Sequence, residues 1–163
     1  TVRRVDAPLN AEQRAAKEAA DKKAKEEEQK RLEQDRKNRA LLATYTTEED
    51  IDRARDRAVA DIENSIRGMQ EKQAELVKRK EQLDAEAEFY KKKALPPQLQ
   101  SQVRVNEAEM KSQQAAIDGR KKEIELVKVR YAEEKARYRE LTQKKSTDRE
   151  AAAPSAGSDA RPL

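Results

Sequence analysis

The chain is rich in groups that ionise and lacks the two that catalysis uses most readily. It has 33 acidic residues and 37 Lys and Arg, but no His and no Cys. Ser-His and Cys-His nucleophile pairs are therefore excluded, as are thiolate and imidazole metal sites. Ser-Lys chemistry needs a pocket, which two-stranded helices do not offer. Carboxylates abound, but on exposed helix faces nothing raises a pKa towards the working range of a general acid. With only 3 glycines there is no phosphate-cradling loop, and no EF-hand spacing occurs. The chain reads as non-enzymatic, with no cofactor and no metal.

The basic residues cluster locally, in Lys78-Arg79-Lys80, Lys91-Lys92-Lys93 and Arg120-Lys121-Lys122. Glu75, Glu81, Asp84, Glu86, Glu88, Glu123 and Glu125 dilute each cluster, and the net charge is only +4. Non-specific strand binding also needs aromatic platforms for the bases. The chain has 4 Tyr and 1 Phe, and only Phe89 is free of another role. Nucleic acid is thus the disfavoured partner. An RNA- or DNA-binding helical hairpin arm that contacts phosphates through these basic clusters, Lys91, Lys92 and Lys93 first, stands as the alternative function.

The elements that would position these groups are helices. Charged residues make up 43% of the chain and aromatics 3%, too few large apolar groups for a globular core. The apolar residues instead recur every seven positions. Ile62, Met69, Leu76, Leu83 and Tyr90 form one column; Val103, Met110, Ile117, Ile124, Tyr131 and Tyr138 form another. Leu95-Pro96-Pro97 lies between them. Pro96 disfavours helix at Leu95, and Pro97 suits the first turn of a new helix. The pattern predicts helices over 47–94 and 98–144 that fold back as an antiparallel coiled-coil hairpin, over 46–141 with its turn at 95–97. The expected rungs are Tyr90 with Val103, Leu83 with Met110, Leu76 with Ile117, Met69 with Ile124 and Ile62 with Tyr131. A second, weaker column puts Gln73 opposite Arg120, Lys80 opposite Gln113 and Ala87 opposite Asn106, a half-polar seam that can specify register at some cost in stability. Gly68 and Gly119 fall in the same zone and read as tolerated surface glycines, with a deliberate flexible zone as the alternative.

The remaining chain is simpler. Residues 1–9 read as an extended lead-in. Asn10 caps a charged single helix over 10–43, with Gln13 completing a capping box. Opposite charges recur four apart there: Glu18 with Lys22, Asp21 with Lys25, Glu26 with Lys30, Glu27 with Arg31 and Glu33 with Lys37. Each such pair is worth roughly 0.2–0.5 kcal/mol. Thr46, with Glu49 three residues on, restarts the helix after a kink. Leu41, Leu42, Tyr45, Tyr138 and Leu141 are expected to cluster at the hairpin's open end. Residues 145–163 read as a disordered tail. No apolar run reaches the ~20 residues of a membrane-spanning helix. The fold class is all-α: a long antiparallel hairpin preceded by a charged single helix.

The run Leu41-Leu42-Ala43-Thr44-Tyr45-Thr46-Thr47-Glu48-Glu49-Asp50-Ile51-Asp52-Arg53-Ala54-Arg55-Asp56-Arg57 resembles a segment of uncharacterised secreted proteobacterial proteins. So do Pro96-Pro97, Asn106-Glu107-Ala108-Glu109 and Arg137-Tyr138-Arg139-Glu140-Leu141. In those proteins a signal peptide and a small N-terminal domain of unknown function precede a charged coiled coil. The resemblance implies the periplasm or cell envelope, an N-terminal portion beyond this sequence, and neither catalytic residue nor cofactor. Without the resemblance the compartment reads as the cytoplasm. The expected function is that of a coiled-coil spacer, scaffold or protein-interaction element. Its partner would be a protein or another envelope component; self-association is open, with Val77, Leu126 and Val129 off the seam but too scattered to force a dimer. Phe89, Leu95 and Val105, off the columns near the turn, would form an apolar tip contact beside Lys91, Lys92 and Lys93.

Overall fold

The computed structural model describes residues 7–8, 10–91 and 93–153, which form three helices and no strand. They are α1 (Ala11–Thr44), α2 (Glu48–Phe89) and α3 (Pro97–Ala152). The chain divides into two compact units. One comprises Thr1–Thr46 with Glu140–Leu163, the other Thr47–Arg139.

In the first unit, α1 begins as its sequence dictates. The Gln13 N–H donates to Asn10 Oδ1 at 2.7 Å, and the Asn10 N–H donates to Gln13 Oε1 at 3.1 Å. The two bonds satisfy donors that a helix start otherwise leaves unpaired. No residue of α1 is buried, so propensity and side-chain pairs hold it. Lys37 bonds Glu33 at 3.4 Å, as the spacing predicts, whereas Arg31 turns to Glu28 at 2.7 Å and not to Glu27. Tyr45 closes the helix in extended geometry, its N–H on Leu41 O. Leu41, Leu42, Tyr45 and Leu141 are half-buried in this unit, and Tyr138 is buried in the other.

The last turns of α3 also belong here, and they correct the expected tail. Residues 145–152 are helical. The run Lys144 to Ala152 has no Gly or Pro, and extending an existing helix is far easier than nucleating one. The helix stops short of Pro154, whose ring disfavours helical geometry in the residue before it. Residues 154–163 of the tail, and 1–6 and 9 of the lead-in, lie outside the described residues.

The second unit is the antiparallel hairpin. Its N-cap is Thr47, not Thr46: the Asp50 N–H donates to Thr47 Oγ1, and the Thr47 N–H donates to Asp50 Oδ2. Two Thr-x-x-acid boxes overlap here, and the helix uses the second. The seam buries Ile51, Ile62, Ile66, Leu76 and Leu83 from α2, and Leu99, Asn106, Ile117 and Tyr138 from α3. Ile62, Ile66 and Ile117 form its central cluster, with Met69, Ile124 and Val127 packed against them.

The two apolar columns pair, but one heptad away from the expected register. Gln73 bonds the Met110 carbonyl, Gln113 the Met69 carbonyl and Asn106 the Leu76 carbonyl. These contacts put Met69 level with Ile117, Ile62 with Ile124, and Leu83 with Val103. The expected Gln73–Arg120 and Lys80–Gln113 pairs therefore do not form; Arg120 turns instead to Glu123 at 2.9 Å. The turn explains the slip. With Pro97 the first residue of α3, the chain reversal must fit before it. So α2 stops at Phe89, short of the expected 94, and the connection takes 90–96 instead of 95–97. Gly68 and Gly119 are exposed, with open space where a Cβ would stand.

Candidate functional site

Three places on the hairpin concentrate polar or exposed groups: its turn, its seam and its open end. At the turn, Tyr90 caps α2 with its N–H on Ala87 O, and Lys91 follows at a φ of 28°. That positive φ is the left-handed geometry that commonly ends helices and that glycine adopts most easily. The Lys93 N–H then returns to Tyr90 O at 2.6 Å. On the other side, Gln100 Nε2 donates to Leu95 O at 3.0 Å, and Leu99 is buried.

Of the expected tip residues, Phe89 is the one fully displayed, at 86% exposure. The Tyr90 ring meets it edge-on at 5.7 Å, and together with Ala85 and Glu86 they line a shallow groove. Leu95 is half-buried in the turn. Val105 is exposed, but it lines a different groove, with Leu76, Arg79 and Asn106. The apolar contact predicted from Phe89, Leu95 and Val105 is thus not a single face. Lys91 and Lys93 are exposed; Lys92 lies outside the described residues.

The seam carries side-chain amides. Asn106 is buried at 6% exposure, and its Nδ2 donates to Leu76 O at 3.2 Å and to Met110 Sδ at 3.5 Å. Gln73 and Gln113 cross the seam in opposite directions, to Met110 O at 3.3 Å and Met69 O at 2.9 Å. Gln73 Oε1 is buried with no hydrogen-bond partner among the described residues.

At the open end, charge pairs join the two helices. Arg139 grips Glu48 through both oxygens, at 2.7 and 3.2 Å. Lys135 does the same to Asp52, at 3.1 and 2.9 Å, and Arg55 adds a contact to Asp52 at 3.4 Å. The hydrogen bonds from Arg139 and Lys135 hold the Glu48 and Asp52 carboxyls below their ordinary pKa values. A general acid needs the opposite shift. Sequence reasoning missed these pairs because it sought opposite charges four apart on one helix. Finding them across the seam requires the register.

Among the described residues no group of three or more His, Cys, Asp and Glu is placed to hold a metal ion. No described helix is long and apolar enough to cross a membrane. Compared with protein-family models, curated proteins and solved structures, the chain matches none.

Proposed function

We propose that the chain is a non-enzymatic coiled-coil spacer that presents an interaction tip, acting as a scaffold or protein-interaction element of the bacterial cell envelope. One observation carries the reading: a hairpin sealed along its seam and clamped at its open end holds a bare phenylalanine at its turn. An aromatic ring that exposed gains by meeting a partner. At 1.5 Å per residue, the 42 residues of α2 set that tip about 60 Å from the hairpin's open end. The envelope assignment rests on the resemblance of 41–57 and the segments that accompany it. Proximity labelling of the full-length protein in its native cell tests both parts. The expected result is a set of envelope neighbours that Phe89→Ser depletes. The same neighbours recovered with Phe89→Ser would remove the tip, and cytoplasmic neighbours would remove the envelope. The alternative, phosphate contact by exposed Lys91 and Lys93, requires RNA affinity that falls steeply with salt and with Lys91→Glu plus Lys93→Glu.

A further inference from the structure

Helix α3 carries a second heptad face, on the side away from the seam. Val105, Ser112, Gly119 and Leu126 form one column at seven-residue spacing. Three residues on, Ala108, Ala115, Lys122 and Val129 form the other. All are exposed, Leu126 at 70%; Val105, at the end nearest the turn, also borders the groove with Leu76 and Asn106. Because the hairpin seam has the same seven-residue period, one supercoil keeps both faces aligned along the helix.

We infer that this face binds a second copy of the chain, α3 against α3, antiparallel about a two-fold axis at Gly119. Shape supports that occupant. Between 108 and 129 the large apolar residues, Leu126 and Val129, lie on one side of Gly119, and the small ones, Ala108, Ser112 and Ala115, on the other; Val105, beyond them, falls opposite Glu133 of the second copy at the edge of the face. Antiparallel pairing sets Leu126 across from Ser112 and Val129 across from Ala108, so each knob meets a hole. At the axis Gly119 meets its own copy, where the open space over each glycine lets the backbones approach. The aliphatic stem of Lys122 lies over Ala115, with its ammonium free to reach solvent. A parallel arrangement would instead stack Leu126 on Leu126 and Lys122 on Lys122, and leave the alanines facing one another across a gap.

Charge supports it independently. The residues flanking this face alternate so that antiparallel pairing sets Lys111 against Glu125 of the second copy, and Glu109 against Arg130. The two-fold repeats each pair. One like-charge contact opposes them, Asp118 with its own copy. Asp118 already accepts a bond from Gln114 at 3.0 Å, and Lys122 of the second copy lies one turn away.

Sedimentation equilibrium on the full chain tests the proposal, with circular dichroism to confirm that each variant stays helical. The wild type should dimerise reversibly, and Leu126→Glu should make it monomeric. Lys111→Glu should weaken the dimer about tenfold, by setting like charges together twice. Lys111→Glu with Glu125→Lys should restore it. Spin labels at position 105 should lie about 40 Å apart in the dimer, as 28 residues of helix require. A chain monomeric at millimolar concentration would overturn the proposal. So would a dimer indifferent to Leu126→Glu, a charge swap without rescue, or position-105 labels in close contact, which would mean parallel pairing.

Discussion

Replacing Gln73 and Gln113 with Leu should stabilise the hairpin, and the two single substitutions should do so unequally. Both side chains donate across the seam to main-chain carbonyls, of Met110 and Met69. Those carbonyls already accept bonds within their own helices, so losing a second donor costs them little. The difference lies in Gln73 Oε1, buried without a hydrogen-bond partner among the described residues. An unsatisfied buried acceptor costs about 1–3 kcal/mol, and Gln73→Leu removes it. Each half-buried Leu adds about 1 kcal/mol of apolar burial. Gln73→Leu should therefore gain about 2–3 kcal/mol, and Gln113→Leu, which leaves the orphan oxygen in place, about 1 or less. For a unit of this size 1 kcal/mol shifts Tm by about 4–8 °C, so the single variants should melt roughly 10 °C apart. Thermal unfolding followed by circular dichroism reads this directly. The double variant should also lose its single register, because polar seam positions are what specify it. Spin labels across the seam should then report a second distance, one heptad or about 10 Å along the axis from the first. Equal gains from the two substitutions, or a fall in Tm with Gln73→Leu, would refute the reasoning.

Leu76→Asp buries a charge in the seam and should unfold the hairpin, whereas Ala19→Asp at an exposed position of α1 should scarcely change the melt. Lys91→Gly should raise Tm by a few degrees. Glycine adopts the φ of 28° there without the cost of about 1–2 kcal/mol that a side chain incurs. Stability should also fall in acid. The Glu48 and Asp52 carboxyls titrate below their unfolded values, so their contribution is complete above the ordinary carboxylate range and is lost as pH drops through the depressed folded values. Lys135→Met with Arg139→Met should flatten that acid limb of a pH–Tm curve.

Much of the architecture was legible in the residues, because heptad columns and prolines act locally. The Asn10–Gln13 box, the break near Tyr45 and the start of α3 at Pro97 each follow from the chemistry of a few neighbours. Register was not legible from the columns. Ile62, Met69, Leu76 and Leu83 find apolar partners equally well when α3 slides by one heptad, since a seven-residue repeat maps onto itself. What breaks the tie is the length of chain needed to turn, a property of 90–96 that no column records. The inter-helix clamps of Glu48 and Asp52 were hidden for the same reason. Phe89 was legible as a residue off the seam, but its separation from Val105 was not, since that depends on where α2 ends. The helical stretch 145–152 was missed because absence of large apolar residues was equated with disorder.

Helices α2 and α3 meet antiparallel with Gln73 and Gln113 in the same layer, and every other feature of the hairpin depends on that register. The chain has no native cysteine, so engineered pairs report without background. Under mild oxidation, Gln73→Cys with Gln113→Cys should close an intramolecular disulfide rapidly, and Gln73→Cys with Arg120→Cys should stay reduced. Preferential closure of the second pair would show the register to be wrong, and closure of neither would contradict the hairpin itself.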